Sequence, residues 1–199
     1  HGELFLDYSK NFINDQVMSS LLSLAKQSQL KTHTEALFNG EAINTSEQRA
    51  VLHMALRGNK EDNYLHNNEP VYDQVERALS QVSAISHQLR EGSWLGSTGK
   101  AITDVIHIGV GGSDLGPRMA CQALRPYNHS SINVHFVSNT DGAEVLSTIN
   151  KLNPETTLLI IVSKSFSTQE TMLNAKTALD WLQNSLELAQ PQSSKHVIA

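Results

Sequence analysis

The chain has 199 residues, of which 39% are hydrophobic and 18% charged; this composition is typical of a soluble globular protein and excludes a disordered one. The net charge is −5 and the 15 basic residues are spread thinly, so we expect no nucleic-acid partner. No apolar run approaches the length of about 18 residues that a membrane-spanning helix needs, so we expect no membrane partner. The lone cysteine, Cys121, excludes an internal disulfide network and is interpreted as core packing in a cytoplasmic protein.

Residues 1–100 are predicted to form a mainly helical segment that packs on a sheet built by the rest of the chain. Val17, Leu21 and Leu24 recur at helical spacing. TSEQ (45–48) has the pattern of a capping box before an apolar run that ends near Gly58. In chain order, the predicted elements are a strand at 4–8, helices at 16–30, 49–57 and 71–89, the last of them following Pro70, and a loop at 91–100.

From residue 101 onward, β-rich runs alternate with helical patterns. The predicted strands cover 102–110, 132–139 and 156–164, a fourth begins within 195–199, and helices lie near 115–124, 142–150 and 171–186. The third strand is almost wholly apolar, as expected when helices cover both faces of a sheet. Short links between strands and helices predict right-handed crossovers. The predicted fold class is therefore α/β, with a doubly wound parallel sheet flanked by helices over residues 101–199.

Both ends of the sequence look cut. The chain begins at His1 without a methionine, and its last predicted strand has only just begun when the sequence stops at Ala199. We therefore expect the α/β domain to be truncated at its C-terminal end, as a piece of a longer protein.

Three polar loops follow the carboxyl ends of the predicted strands. They are GVGGSDLGP (109–117), SNTDG (138–142) and SKSFSTQET (163–171). Ligands of open parallel sheets bind at this edge. Each loop leads into a helix, whose free N–H groups and positive dipole end favour an anion. The sequence therefore predicts a phosphate-bearing small molecule as the ligand.

The first loop is glycine-rich, and its spacing argues against a nucleotide cofactor. A dinucleotide fingerprint needs a third glycine where Asp114 stands, and the second strand ends in Ser138 and Asn139 rather than an acidic residue. The G-x-x-x-x-G-K-[ST] phosphate loop is also absent from the sequence. Ser113 is expected to offer its hydroxyl and to cap the following helix. Tight packing alone is an equally good explanation of these glycines.

The third loop carries the strongest signal for phosphate. It contains five hydroxyl side chains near one cation, Lys164, and they are Ser163, Ser165, Ser167, Thr168 and Thr171. Hydroxyls and backbone N–H groups can satisfy a phosphate dianion without a metal. Hydroxyl clusters are also common turn formers, but this one follows the most buried strand and opens a helix. We favour phosphate binding over the plain turn.

Other candidate residues give weaker evidence for a functional role. His53 and His107 have no second ligand at metal spacing, and we interpret both as structural. Asp141 and Glu170 lie near the loops and are expected to cap or orient. No Ser/His/Asp or Cys/His arrangement stands out, and neither a metal nor a cofactor is expected.

The three loops together closely resemble those of the glucose-6-phosphate isomerases. The resemblance rests on IGVGGSDLGP (108–117), FVSNTDG (136–142) and VSKSFSTQET (162–171), with further matches at 7–11 and 49–57. It implies the first copy of the sugar-isomerase α/β sandwich. It also implies reversible exchange of glucose 6-phosphate and fructose 6-phosphate through an enediol, without metal or nucleotide.

The resemblance also implies roles for particular residues. Ser163, Ser165 and Thr168 fall on positions that hold the substrate phosphate, with Lys164 beside them, and Gly112 and Ser113 fall on positions that contact the sugar. The family commonly has threonine where Ser165 and Ser167 stand, and the hydroxyl survives that exchange.

The catalytic groups that the family implies are not found in this sequence. The glutamate base, the ring-opening histidine of a neighbouring subunit, an arginine and a late lysine all lie beyond residue 199 in the family's order. Because proton transfer from carbon needs a positioned base, we expect the chain alone to be inactive, with a homodimeric parent. The alternative is a phosphosugar-sensing regulatory module of the same superfamily, which normally accompanies a basic DNA-binding segment that these N-terminal helices do not resemble.

Overall fold

A four-stranded parallel sheet organises the C-terminal part of the molecule. The computed structural model describes residues 2–128, 131–189 and 195–199, and the chain divides into two units, residues 1–81 and 82–199. The helices are α1 Asp15–Gln27, α2 Leu30–Phe38, α3 Tyr72–Arg90, α4 Gly112–Ala123, α5 Gly142–Ile149 and α6 Gln169–Leu186. The strands are β1 Leu65–His66, β2 Glu69–Pro70, β3 Asp104–Ile108, β4 Asn133–Val137, β5 Thr157–Ile161 and β6 Val197–Ile198.

The sheet has the spatial order β4-β3-β5-β6 with all pairs parallel. From β3 the chain steps to β4 on one side and then crosses to β5 on the other side of β3. The strand order therefore reverses between β3 and β5. In doubly wound sheets the crevice outside the carboxyl ends at such a reversal is where ligands bind. The predicted α/β fold with a doubly wound parallel sheet is confirmed.

Side chains alternate between two apolar layers, one on each face of the sheet. Ile106 and Ile108 of β3 pack in the layer that contains Val145 of α5 and Leu182 of α6. On the opposite face, Val105 packs with residues that include Ile102, Leu158, Leu89 and Trp94. Burial on both faces explains why β5 appears in the sequence as an almost continuous apolar run.

Two helices beside the sheet, α4 and α6, begin earlier than their sequence patterns predict, whereas α5 begins at Gly142 as predicted. α4 starts at Gly112 rather than near residue 115, with Gly111 as the N-cap residue at φ 57°. Ser113 therefore lies inside the first turn, and the expectation that it caps the helix is wrong. Only glycine adopts this N-cap conformation without strain, so the backbone of Gly111 sets the start of the helix.

Residues 91–100 are anchored to the sheet by a buried histidine. His196 donates from Nδ1 to the Thr157 carbonyl at 2.7 Å and accepts at Nε2 from the Ser97 N–H at 2.8 Å. A Cβ on Gly96 would lie 2.5 Å from Cε1 of the same ring, so only glycine fits there.

A surface ion pair fixes the end of the same loop. Lys100 Nζ lies 2.5 Å from Glu155 Oε2, in the turn that precedes β5. The hydrogen bond from Lys100 lowers the pKa of the Glu155 carboxyl below its usual value. The Trp94 indole N–H also donates to the Lys195 carbonyl at 2.8 Å, so the predicted loop is an ordered connection.

The N-terminal unit differs most from its predicted elements. Residues 4–6 are exposed and form no strand. The predicted helix at 49–57 is only a 3₁₀ helix over His53–Arg57, because Thr45–Gln48 form a tight turn instead of a cap. The Asn44 carboxamide oxygen stabilises that turn by accepting from the Ser46 hydroxyl at 2.9 Å. Both expectations are wrong.

The remaining helices and turns of this unit differ from the predictions mainly in where they begin and end. The helix expected at 16–30 ends at Gln27, and α2 begins after Gln29, which adopts φ 52°. Pro70 closes a two-residue antiparallel ladder rather than opening α3. Asn67 and Asn68 between those strands both have positive φ, a conformation that asparagine tolerates in tight hairpins. Across 2–128, 131–189 and 195–199, no helix has the length and hydropathy required to cross a bilayer.

Candidate functional site

The β5–α6 loop collects the predicted phosphate ligands. Ser163 Oγ accepts from the Phe166 N–H at 3.0 Å and lies 3.4 Å from the Thr168 hydroxyl. The hydroxyls of Ser165 and Ser167 are 2.6 Å apart. Four of the predicted hydroxyl side chains thus occur as two neighbouring pairs on one short loop.

The loop opens towards solvent rather than into the core. Lys164, Ser165 and Ser167 are exposed, and Ser163 and Thr168 are half-buried. Thr168 is the N-cap residue of α6 but makes no side-chain cap hydrogen bond. The first turn of α6 therefore keeps N–H donors beside the hydroxyls, an arrangement that suits an oxyanion.

Thr171 is separated from these hydroxyls by its burial. Its side chain is only 1% exposed, and among the described residues its hydroxyl has no hydrogen-bond partner. Sequence spacing alone grouped it with the loop residues. The structure places it in the first turn of α6, facing the interior.

The first turn of α4, directly after the β3–α4 loop, supplies the second part of the site. A Cβ added to Gly112 would meet no atom within 4 Å, so the backbone there is open to a ligand. Ser113 is half-buried, and its carbonyl accepts from Nε2 of His107 at 2.6 Å. The His107 ring is buried and bound to that carbonyl, which agrees with a structural role.

The carboxyl ends of the three strands are tied together where the loops begin. The Val162 N–H donates to the Ile108 carbonyl at 2.8 Å, and the Gly109 N–H donates to the Val137 carbonyl at 3.2 Å. Because β3 and β5 are adjacent, the glycine loop and the hydroxyl loop leave the sheet side by side. The structure thus brings the predicted residues to one edge: Gly112, Ser113, Ser163, Lys164, Ser165, Ser167 and Thr168.

An ion pair beneath the loops was missed by the sequence analysis. Arg118 Nη2 donates to Asp114 Oδ1 at 2.8 Å and to the Ser138 hydroxyl at 3.1 Å. The hydrogen bonds to Asp114 raise the pKa of the Arg118 guanidinium, which therefore stays charged. The guanidinium also lies 5.0 Å from the centre of the Phe136 ring. The i,i+4 spacing of the pair was the available sequence signal.

Two further side chains hold the β4–α5 loop. Glu144 Oε2 accepts from the N–H groups of Ser138 at 2.9 Å and Asn139 at 2.7 Å. The buried Asn174 of α6 donates to the Asn139 carbonyl at 2.8 Å. Asp141 caps α5 by accepting from the Ala143 N–H, as expected. No sequence pattern indicates Asn174, because its partner lies 35 residues away.

A cavity of about 350 Å³ lies beside α6. Its walls are mostly apolar and belong to Ile161, Phe166, Met172, Ala175, Lys176, Leu179, Asp180 and Ala199. None of the hydroxyls of the loop lines it. Within the part of the chain that the structure describes, no three His, Cys, Asp or Glu side chains are grouped as metal ligands would be.

Comparison with known proteins gives one consistent family. The model of the family described as phosphoglucose isomerase matches residues 7–199. Glucose-6-phosphate isomerase 1 of Neisseria gonorrhoeae is 50% identical over 183 residues, which cover 92% of this chain and 33% of that protein. Glucose-6-phosphate isomerase 1 of Chromobacterium violaceum is 48% identical over 180 residues, with 90% and 33% covered.

A solved structure shares the fold. The glucose-6-phosphate isomerase of Chlamydia trachomatis superposes with a TM-score of 0.71 at 23% identity, covering 93% of this chain and 34% of that one. The chain therefore spans about a third of the length of the relatives that it matches.

Proposed function

The chain belongs to the phosphoglucose isomerase family, and we propose that it supplies the phosphate-binding part of an enzyme that interconverts glucose 6-phosphate and fructose 6-phosphate. The observation that carries the proposal is the exposed hydroxyl loop of residues 163–168, which lies at the strand-order reversal and opens a long helix. The relatives named above are isomerases, which favours an enzyme over a phosphosugar-sensing module.

The chemistry of the loop suits a phosphate dianion. The hydroxyls of Ser163, Ser165, Ser167 and Thr168 can donate to its oxygens, and the free N–H groups of the first turn of α6 add to them. The positive end of the helix dipole and the charge of Lys164 attract the dianion. Gly112 and Ser113, in the first turn of α4 after the adjacent strand β3, are proposed to contact the sugar.

A proton transfer between carbon atoms also needs a free base. Near the loops, Asp114 is bound by Arg118, Asp141 caps α5, and Glu144 binds two backbone N–H groups. These three carboxylates have structural roles, and the exposed Glu170 lies in the first turn of α6, beside the proposed phosphate rather than the reacting carbons of the sugar. We therefore infer that the chain binds the substrate but does not isomerise it, and that a family base outside residues 1–199 completes the reaction.

The inactivity of the chain alone is directly measurable. Purified chain supplied with fructose 6-phosphate, with glucose 6-phosphate formation followed by a coupled dehydrogenase, is expected to give no rate above a preparation from cells carrying an empty vector. A rate that survives repurification and scales with the amount of chain would contradict the inference.

Substrate binding is tested by isothermal titration of the chain with fructose 6-phosphate. The double substitution Ser163→Ala and Thr168→Ala removes two phosphate donors while leaving the helix intact. Charge-assisted hydrogen bonds contribute roughly 1.5–3 kcal/mol each, so the loss of two is expected to raise the Kd at least about a hundredfold.

A matched double variant controls for the loss of hydroxyls in general. Ser147 and Thr177 donate to carbonyls of their own helices, at 3.0 and 3.1 Å, away from the loop. The variant with Ser147→Ala and Thr177→Ala should bind as the unchanged chain does. Equal binding by both double variants would refute the hydroxyl loop as the phosphate site.

The setting of the parent protein is part of the same proposal. We propose a cofactor-free homodimer in the cytoplasm that acts in glycolysis and gluconeogenesis. The free, half-buried Cys121 agrees with a reducing compartment.

A further inference from the structure

We propose that Arg118 is a positioning residue that holds the β4–α5 loop, residues 138–141, against the sugar end of a bound hexose phosphate. The inference rests on the proposed function, because it assumes that the phosphate occupies the hydroxyl loop. It adds a second recognition element, the β4–α5 loop, and the group that fixes it.

Arg118 is committed to protein contacts rather than to an anion. Its Nε lies 3.1 and 3.0 Å from the two carboxylate oxygens of Asp114, and Nη2 reaches both Asp114 and the Ser138 hydroxyl. Asp114 is buried and neutralises the guanidinium. An arginine engaged in this bidentate manner orients its neighbours and has little capacity left for a phosphate.

The β4–α5 loop is held from three helices at once. Arg118 of α4 donates to the Ser138 side chain, Glu144 of α5 accepts from the Ser138 and Asn139 N–H groups, and Asn174 of α6 donates to the Asn139 carbonyl. Loops that only connect elements do not require such fixation. The side chains of Asn139 and Thr140 remain exposed on the fixed backbone.

The strand order separates the β4–α5 loop from the proposed phosphate position by about the length of a sugar. β4 and β5 lie on opposite sides of β3, so their carboxyl ends are separated by two strand spacings, about 10 Å. The glycine loop after β3 lies between them. A hexose phosphate bound through its phosphate after β5 and lying across Gly112 would direct its far hydroxyls towards Asn139 and Thr140.

The test compares two ligands that share the phosphate group. Fructose 6-phosphate and inorganic phosphate are titrated into the unchanged chain and into variants with Arg118→Met, Arg118→Lys or Ser138→Ala. Ser138→Ala removes only the hydroxyl that accepts from Arg118 and keeps the ion pair between Arg118 and Asp114. It therefore tests the same contact if Arg118→Met fails to fold. Arg125→Met, in the exposed turn after α4, is the matched control.

We expect Arg118→Met to raise the Kd for fructose 6-phosphate about tenfold and to leave the Kd for inorganic phosphate within about twofold. Ser138→Ala should give the same selective loss to a smaller extent, and Arg118→Lys should restore part of the affinity. Equal losses for both ligands, or no loss for either, would overturn the inference. Absence of phosphate binding by the unchanged chain would instead overturn the proposed function on which it rests.

Discussion

Single polar side chains around the β5–α6 loop differ in how their hydrogen-bonding capacity is used. The hydroxyls of Ser163 and Thr168 are 3.4 Å apart, which is a weak hydrogen bond, and both residues are half-buried. Water or an anion can therefore supply their remaining hydrogen bonds. Thr171, three residues further, is buried and its hydroxyl has no partner among the described residues. A buried hydroxyl without a partner costs free energy on folding.

This difference predicts the effect of replacing Thr171. Thr171→Val keeps the branched shape, so the free energy of unfolding in urea should rise by about 1 kcal/mol. Thr177→Val is the control, because the Thr177 hydroxyl donates to the Leu173 carbonyl at 3.1 Å and its loss should not stabilise the protein. A lower stability of Thr171→Val than of the unchanged chain would show that the hydroxyl is satisfied.

At the scale of elements, the sequence predicted the strands of the parallel sheet better than the connections. The central strands β3 and β5 are almost wholly buried, so their apolar runs carry the signal themselves. The turn at 45–48 was misinterpreted because Thr45 and Gln48 fit a capping box equally well, and the Asn44 side chain decides the outcome. The predicted site residues could be found from local hydroxyls and glycines. Asn174 and His196 could not, because their partners are distant in sequence.

The loop over residues 91–100 requires a glycine at position 96. In Gly96→Ala the new Cβ would lie 2.5 Å from the buried His196 ring and 2.9 Å from the Glu155 carbonyl. Relieving this overlap is expected to lower the free energy of unfolding by about 2–3 kcal/mol, measured by urea denaturation.

Gly142→Ala provides the comparison for that substitution. Its Cβ would meet no atom within 4 Å at the first residue of α5, so stability should rise by about 0.4–1 kcal/mol because alanine restricts the unfolded chain. If Gly96→Ala were as stable as Gly142→Ala, the loop would not be packed on His196.

At the scale of the whole sheet, the strand order determines which loops can share a ligand. With β3 between β4 and β5, the glycine loop lies in the centre and the hydroxyl loop and the fixed 138–141 loop flank it. This arrangement agrees with the proposed position of the phosphate at one flank and of the sugar across the centre.

The most direct test is a ¹H–¹⁵N spectrum of the 21.9 kDa chain titrated with fructose 6-phosphate. The account predicts that the largest shift changes fall on the backbone amides of residues 163–169, with smaller changes at 111–113. Changes confined to the apolar cavity around Met172 and Leu179, with residues 163–169 unaffected, would contradict it.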